Sequence, residues 1–394
     1  MFLGAICQFC DLYALKKWLP TQLFDGHQFW PSQTVLVTDE AGTIVDLVHG
    51  ADAGPGVQHL EGLLCPGFVN VHCHLELSHL KNAIAPGQGL PAFILGILAK
   101  RGAPEETMLA AMEAAVAAMQ AAGIVAVGDI ANLALSAQVK AHHPEMAWHH
   151  FIETSGWNPV LAAPRFAAAQ AVEAQTLALM PGALSSLNPH APYSVSPALW
   201  QMLQPHFPGK TITLHHQETA AENELFENGR GGLVEMYQKL GIDHGHFEPT
   251  GTRSAAAMAP LMQKAQHRIW VHNSFTTAQD LHDLAPTEQD FFCLCPTANQ
   301  YIENTLPPVE LFREQGVNLV LGTDSLASNH QLSIWAEIQT LRNAFPHLPL
   351  AETLQWATIN GAKALQMDDQ LGSFAKGKRP GLVCIHQDKV CRIL

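Results

Sequence analysis

Hydrophobic runs of two kinds alternate along the central part of the chain. Short runs rich in β-branched and aromatic residues predict buried strands, and longer runs in which alanine, leucine and methionine recur predict helices. The longest helical patterns cover residues 104–122 and 164–180. Eight strand-like runs with helices between them predict a (β/α)8 barrel, the TIM-barrel fold. The strand-like runs cover residues 65–74, 124–130, 148–152, 183–187, 211–215, 268–272, 291–295 and 317–324.

The two ends of the chain have a different pattern, with short strand-like runs broken by turn residues. Such runs occur at residues 34–38 and 42–48 near the start and at 382–385 near the end. Chain termini often lie close together in space. We therefore predict that residues 1–64 and 371–394 combine into one small β-sandwich domain, beside a catalytic barrel formed by residues 65–370.

Histidine and aspartate recur where the strand-like runs end. His72 and His74 close the first run, and because side chains alternate along a strand, these two project the same way. Active sites of this fold lie at the carboxyl ends of the strands. We expect one cluster there, with contributions from the first, fourth, fifth, sixth and eighth strands: His72, His74, His190, His215, His272 and Asp324.

Three histidine nitrogens and one aspartate oxygen suit a zinc or iron(II) ion with a coordination position left for water. Such an ion lowers the pKa of bound water from about 16 to about 7, which supplies hydroxide as a nucleophile. We predict one divalent ion, zinc with iron as the alternative. The predicted ligands are His72, His74, His215 and Asp324.

Glu218 follows His215 by three residues and can face the same cavity. A carboxylate there can move a proton from the water to a ring nitrogen or leaving group, although an acid at a helix start is also favoured by the macrodipole alone. His272 is either a further ligand or, as we prefer, a hydrogen-bonding partner of the hydroxide. Two-metal hydrolases of this kind commonly use a lysine on the fourth barrel strand to bridge the ions. No lysine occurs between Lys140 and Lys210, the range that contains this strand, so one metal is expected.

Composition narrows the function classes. The net charge is −14 and only 14% of residues are charged, which disfavours nucleic acid and anionic membranes as partners. We expect a small-molecule substrate.

The start of the chain lacks a basic signal-peptide region and no apolar run is long enough to span a bilayer, so a cytoplasmic protein is expected. Eight cysteines, including Cys7-x-x-Cys10 without a second pair, do not indicate a disulfide framework.

Several segments together resemble the amidohydrolase superfamily, and within it the cytosine deaminase and chlorohydrolase-like branch. The resemblance covers almost the whole chain and implies the metal ligands above and hydrolytic deamination of an aromatic heterocycle, with Glu218 as the proton shuttle. By analogy, a homodimer is expected. The segments are Pro66-Gly67-Phe68-Val69-Asn70-Val71-His72-Cys73-His74, Pro189-His190-Ala191-Pro192-Tyr193, His215-x-x-Glu218-Thr219, Val271-His272-Asn273, Cys295-Pro296-Thr297-Ala298-Asn299 and Gly322-Thr323-Asp324-Ser325.

Within that branch, His74-Leu75-Glu76-Leu77-Ser78 and the segment from Gly322 to Asn329 look most similar to aminodeoxyfutalosine deaminases, which act on an adenine nucleoside in menaquinone synthesis. Adenosylhomocysteine and methylthioadenosine deaminases are close alternatives, and triazine or imidazolone hydrolases are more distant ones. The resemblance implies that His190 contacts the purine, and Glu76 and Asn329 are further substrate-binding candidates. An anionic side arm needs an arginine, either Arg101 or Arg230. Residues 80–101 are long enough to cover the site.

Overall fold

The computed structural model describes residues 15–394, in which strands and helices alternate over most of the length. The Cys7-x-x-Cys10 motif discussed above lies outside this range. The strands are β1 Lys16–Leu23, β2 Thr34–Thr38, β3 Ile44–His49, β4 Val57–Pro66, β5 Phe68–Cys73, β6 Ile124–Ala131, β7 Ala147–Thr154, β8 Leu184–Pro189, β9 Thr211–His216, β10 His267–His272, β11 Asp290–Leu294, β12 Asn318–Leu321, β13 Leu382–His386 and β14 Lys389–Arg392. The helices are α1 Leu90–Lys100, α2 Glu105–Ala121, α3 Leu135–Ala141, α4 Ala162–Leu179, α5 Pro197–Leu203, α6 Ala220–Asn228, α7 Gly232–Leu240, α8 Ser254–Met262, α9 Ala278–Leu284, α10 Pro296–Glu303, α11 Val309–Glu314, α12 Ile334–Ala344, α13 Leu350–Ala357 and α14 Ile359–Ala364.

Eight parallel strands, β5 to β12, form the predicted barrel. They pair in two sheets of four, in the orders β5-β6-β7-β8 and β12-β11-β10-β9. At one seam the backbone nitrogen of Thr323, which follows β12, donates to the His72 carbonyl of β5 over 3.0 Å. At the other, the backbone nitrogen of His215 on β9 donates to the carbonyl of His190, which follows β8, over 3.0 Å. The prediction of a (β/α)8 barrel is confirmed.

Side-chain amides reinforce both seams of the barrel. Asn70 of β5 donates to the Thr323 hydroxyl over 2.8 Å and accepts from the Thr323 backbone nitrogen over 3.1 Å. At the other seam, the backbone nitrogen of Thr213 donates to the side-chain oxygen Oδ1 of Asn188 over 2.9 Å. Because all these groups are buried, the hydrogen bonds satisfy polar atoms that would otherwise be costly to remove from water. They also fix the strand ends that carry the histidines.

The strands from both ends of the chain form one six-stranded sheet, in the order β14-β13-β4-β1-β2-β3. Strand β13 pairs antiparallel with β4, where Val383 faces Cys65, and β4 continues through Gly67 into β5 at the start of the barrel. The predicted association of the two chain ends is therefore observed in the sheet. The domain boundaries at residues 64 and 371 remain a prediction.

Helix α2 illustrates how the surrounding helices pack on the strands. Its buried residues, Met112, Ala115, Val116 and Met119, recur at helical spacing and form one apolar stripe. The helix ends before Gly123, which has φ 78° and whose missing side chain would lie 2.7 Å from Val383 of β13. Only glycine fits this left-handed, closely packed position without strain. The glycine thereby links a barrel helix to the terminal sheet.

Candidate active site

The carboxyl ends of the barrel strands open into a cavity of about 570 Å³. Its floor is polar and includes most of the residues predicted from the strand ends. One wall is apolar and is formed by α1, α7 and the loop after β7. The floor is lined by His74, Glu153, His190, His215, Glu218, His272 and Asp324, and the apolar wall includes Leu90, Phe93, Ile94, Ile97, Trp157, Met236 and Leu240.

The four predicted metal ligands lie together at this floor. The Nε2 atoms of His74 and His215 are 3.2 Å apart, and Asp324 Oδ1 lies 3.4 Å from His74 Nε2 and 3.6 Å from His72 Nε2. One ligand atom from each of His72, His74 and His215 falls within a mutual distance of 4.8 Å, and the same holds for His72, His272 and Asp324. Each set is compact enough to surround a single ion.

Neighbouring groups orient these side chains toward a shared centre. His215 Nδ1 lies 2.8 Å from the carbonyl oxygen of His190, so this nitrogen carries the proton and Nε2 keeps its lone pair. The Ser328 hydroxyl donates to Asp324 Oδ2 over 2.5 Å, which leaves Oδ1 facing the histidines. Hydrogen bonds of this kind fix the tautomer and orientation of metal ligands in proteins.

His72 provides the test of whether these residues fit a metal. Its side chain is fully buried, and neither ring nitrogen has a hydrogen-bond partner among the described residues. An unpaired buried nitrogen is costly, and a cation at Nε2 would satisfy it. The three nitrogens and one oxygen are the donor set of a borderline divalent ion. The residues present therefore fit the predicted group.

The protonation states of the cluster suit metal binding. Burial lowers the pKa of His74 to about 3 and that of His272 to about 4, and it lowers the pKa of His215 well below its ordinary value. Burial opposes ionisation of Asp324, but the nearby imidazoles of His72, His74 and His272 outweigh it and hold the Asp324 pKa below its usual range. Neutral imidazoles and an ionised carboxylate are the forms that bind a cation.

Glu218 lies beside this cluster in the segment between β9 and α6. Its Oε1 is 3.6 Å from Nε2 of His272, whose Nδ1 is 3.4 Å from the side-chain oxygen of Asn299. Burial raises the pKa of Glu218 well above its ordinary value, and the nearby Asp324 carboxylate adds to this effect. A carboxyl group in such surroundings can hold a proton near neutral pH.

The backbone is unusual where two of these side chains leave their strands. His272 has φ 75° and Asp324 has φ 56°, both in the left-handed region that non-glycine residues rarely adopt. Close packing adds to the constraint, because a side chain at Gly322 would lie 2.8 Å from Cβ of His72. Strained backbone of this kind concentrates at functional sites, where surrounding contacts hold it in place.

The structure separates the predicted substrate contacts. His190 lines the cavity, with Nδ1 2.7 Å from the Ser194 hydroxyl. Glu76 also lines it, and its Oε2 accepts from the backbone nitrogen of Asn132 over 2.9 Å. The structure does not place Asn329, the third predicted contact, among the residues that line the cavity. Its amide donates instead to the Thr323 carbonyl and to Glu337, over 2.9 and 2.8 Å, and so braces the loop after β12.

The covering segment and the arginines can also be placed. Residues 80–101 contain α1, whose apolar side chains line the cavity, as does Arg101. Arg230 is not among the lining residues, whereas Arg165 of α4 is. Arg165 was not predicted, because it occurs in an alanine-rich helix without a motif.

Glu153 at the end of β7 is a functional candidate that the sequence analysis missed. It lies in the cavity, 9% exposed, and its Oε2 accepts from the side-chain amide of Asn132 over 3.1 Å. Burial raises the pKa values of Glu153 and Glu76 to about 7, while a cation bound nearby favours the ionised form. The sequence did offer one signal for Glu153, because this glutamate directly follows the strand-like run over residues 148–152.

Fold, strand-end cluster and cavity define a metal-dependent hydrolase of the barrel type. A sequence profile of the amidohydrolase family matches residues 63–391, and the chain belongs to this family. An adenosine deaminase of Helicobacter pylori is 28% identical over 330 residues, which are 81% of this chain and 78% of that protein. An aminodeoxyfutalosine deaminase of Deinococcus radiodurans is 26% identical over 313 residues, 77% of this chain and 73% of that one.

A solved structure supports the same fold. Helicobacter pylori aminofutalosine deaminase, in complex with methylthio-coformycin, superposes with a TM-score of 0.79 at 24% identity, over 94% of this chain and 92% of that one. Membership of the amidohydrolase family and the deaminase relatives make this chain a hydrolytic enzyme that acts on C–N bonds. Within residues 15–394, none of the helices has the length and apolar character that crossing a bilayer requires.

Proposed function

We propose that this protein is a metal-dependent hydrolytic deaminase of an adenine nucleoside, with aminodeoxyfutalosine as its substrate and a role in menaquinone biosynthesis. The observation that carries the proposal is Glu218 beside three histidines and Asp324, at the floor of a cavity of about 570 Å³. Cavities of this size accommodate molecules as large as a nucleoside. The names of the two similar proteins, an adenosine deaminase and an aminodeoxyfutalosine deaminase, support the substrate class.

In this proposal one divalent ion, zinc with iron as the alternative, is held by His72, His74, His215 and Asp324. When bound, such an ion lowers the pKa of water and makes hydroxide available near neutral pH. The donor types and the unpaired nitrogens of His72 support the assignment. Ser328 and the His190 carbonyl keep Asp324 and His215 in position for this role.

Glu218, His272 and Asp324 then handle the protons. Glu218 takes a proton from the attacking water and delivers it to the ring nitrogen next to the amino-bearing carbon. The water oxygen bonds to that carbon, its second proton passes to the amino group, and the C–N bond breaks to release ammonia. The raised pKa of Glu218 suits a group that both accepts and releases a proton. His272, 3.6 Å from Glu218, holds the attacking water by a hydrogen bond, and the Asp324 carboxylate accepts from the same water.

His190 is the proposed contact to the purine. Its Nδ1 is engaged with the Ser194 hydroxyl at 2.7 Å, which leaves the other ring nitrogen for a ligand. Ring centroids of His190 and His215 are 4.8 Å apart, so a base held by His190 lies next to the proposed metal. Glu76, whose Oε1 is not used by the bonds from Asn132 and Leu133, is the second polar contact.

The cavity wall supports a substrate with an apolar side arm that ends in a negative charge. Phe93, Ile97 and Trp157 provide the apolar surface, and Arg101 and Arg165 provide positive charge. Arginine is well suited to bind a carboxylate in two-point fashion. The apolar wall alone also favours a second candidate, methylthioadenosine or adenosylhomocysteine, whose side arms are built around a thioether.

The proposal is tested with purified protein loaded with one equivalent of zinc. Aminodeoxyfutalosine, methylthioadenosine, adenosylhomocysteine and adenosine are compared by the ultraviolet change from adenine to hypoxanthine and by ammonia release. We expect the largest kcat/KM for aminodeoxyfutalosine. A preference for a thioether nucleoside selects the second candidate, and ring opening or chloride release from a triazine or imidazolone, without any nucleoside turnover, contradicts the proposal.

A further inference from the structure

Glu153 is a charged side chain of the cavity that the proposed mechanism does not use. It lies at the carboxyl end of β7, opposite Asn188 of β8 in the strand register. Its side chain is 9% exposed and lines the cavity floor between the first strands of the barrel and His215. A carboxylate in this position affects any ligand that fills the cavity.

Among residues 15–394, only one oxygen of the Glu153 carboxylate accepts a hydrogen bond. Oε2 accepts from Nδ2 of Asn132 over 3.1 Å. Oε1 lies 3.5 Å from His215 Nδ1, and the proton of that nitrogen is already directed to the His190 carbonyl at 2.8 Å. Oε1 therefore has no committed donor among the described residues, and it belongs to a side chain that lines the cavity.

Asn132 holds this carboxylate in a fixed orientation. The Asn132 backbone nitrogen donates to Glu76 Oε2 over 2.9 Å, and the Leu133 nitrogen donates to the same oxygen over 3.1 Å. The Asn132 side chain donates to Glu153, so that Glu76, Asn132 and Glu153 form one connected polar network. A carboxylate fixed in this way is preorganised to accept hydrogen bonds from a ligand.

The chemistry of the ligand identifies which donors can meet Oε1. A nearly buried carboxylate oxygen without a donor is unfavourable, and a hydrogen bond to a charged group contributes strongly. An adenine nucleoside has donors only at its reacting amino group and at its sugar hydroxyls. The reacting amino group must lie near Nε2 of His215, because the proposed metal binds there, next to His74 Nε2 at 3.2 Å. Glu153 lies near the other ring nitrogen of His215, Nδ1. The sugar hydroxyls are therefore the donors that can meet Glu153.

We propose that Glu153 accepts hydrogen bonds from the vicinal hydroxyls of the substrate's ribose and makes the enzyme selective for ribonucleosides over deoxyribonucleosides. This assignment rests on the proposed function, because it requires an adenine nucleoside with its amino group at the proposed metal. It gives the cavity a polar sugar subsite between the histidine floor and the apolar wall. Asn132 acts as the positioning residue of this subsite.

The test compares each substrate with its 2′-deoxy counterpart, using adenosine with 2′-deoxyadenosine and aminodeoxyfutalosine with its 2′-deoxy analogue. Wild-type protein should prefer the ribonucleoside by about tenfold to hundredfold in kcat/KM, as expected for one hydrogen bond to a charged group. In Glu153→Gln and Glu153→Leu the preference should shrink to about threefold or less. Zinc content per chain is measured for every variant.

Asp243→Asn is the matched control, because Asp243 is another carboxylate at the same cavity but in its exposed rim. This variant should keep the wild-type preference. If both Glu153 variants lower the rates for ribo- and deoxyribonucleosides equally, or if they lose zinc, the sugar assignment is overturned and Glu153 supports His215 instead. Absence of nucleoside turnover by the zinc-loaded wild type refutes the proposed function, and the sugar assignment with it.

Discussion

The floor and the wall of the cavity are built in different ways. The floor residues stand at or just after the ends of barrel strands, and hydrogen bonds hold several of them, as the His190 carbonyl holds His215 and Ser328 holds Asp324. The wall comes from connecting segments, mainly α1 and the loop after β7, which carry Phe93 and Trp157. Strand ends are rigid and loops vary readily. The floor is therefore suited to fix the reaction, and the wall to select the substrate.

This difference predicts that changes in the floor abolish the reaction, while changes in the wall alter substrate affinity. The largest effect is expected for His72→Ala, which removes a buried imidazole whose nitrogens have no hydrogen-bond partner within residues 15–394. Zinc content should fall from about one per chain to about one tenth or less, and turnover with it. Metal analysis after gel filtration measures this. His282→Ala, at an exposed histidine of α9, is the control, and full zinc content in His72→Ala would remove His72 from the ligand set.

Glu218→Gln should separate proton transfer from metal binding. The amide keeps the shape of the side chain but cannot move a proton, so kcat should fall by about hundredfold to ten-thousandfold. Zinc content and thermal stability should stay at wild-type values, because Glu218 is not among the proposed ligands. Steady-state kinetics and metal analysis on the same preparation test both parts. A variant with more than a tenth of wild-type activity is incompatible with the proposed shuttle.

Phe93→Ala should affect the wall alone. Loss of a buried aromatic contact on α1 should raise KM for aminodeoxyfutalosine by about tenfold to hundredfold, with kcat changed by less than about threefold. Adenosine, which lacks a long side arm, should be much less affected. Leu161→Ala, at an exposed position of the same cavity, is the matched control. A fall in kcat with unchanged KM would show that the wall also shapes the reaction.

The smallest effect is expected for the pH dependence of the stability of the barrel, which carries both the floor and the wall. Burial lowers the pKa values of His149 and His216 to about 4, below the value near 6.5 expected in the unfolded chain. The unfolded state thus binds more protons as the pH falls from about 6.5 to about 4, and stability decreases over that range by about 1.4 kcal/mol per histidine and pH unit. Metal-free protein should melt at a lower temperature at pH 5.5 than at pH 7.5. His149→Gln should reduce this difference, and an unchanged difference argues against a buried neutral His149.

The barrel was predictable because its strands and helices alternate in a clear hydrophobic pattern. The predicted helix over residues 104–122 is α2, Glu105–Ala121, and the strand predicted over 211–215 is β9 with one further residue. Strands β1 and β4 were not predicted, since Pro20 and Gly62 interrupt them and their polar residues do not alternate regularly. Their partners lie far away in the sequence, and only the assembled sheet stabilises them.

The same limit separates the two parts of the site. The histidines and Asp324 were found because each ends a recognisable strand. Glu153 was missed, since its significance depends on Asn132, which follows β6, and on His215 of β9. Asn329 was a substrate candidate because its segment resembles that of nucleoside deaminases, but such a resemblance does not determine side-chain direction, and its amide is used by Thr323 and Glu337.

The central claim is that one metal centre at the strand ends deaminates an adenine nucleoside. The most direct measurement is a titration of metal-free protein with zinc, in which the rate of aminodeoxyfutalosine deamination is followed by ultraviolet absorbance. The account predicts that the rate rises linearly and reaches its plateau at one zinc per chain. A rate that is independent of zinc, or a plateau at two ions per chain, would contradict it.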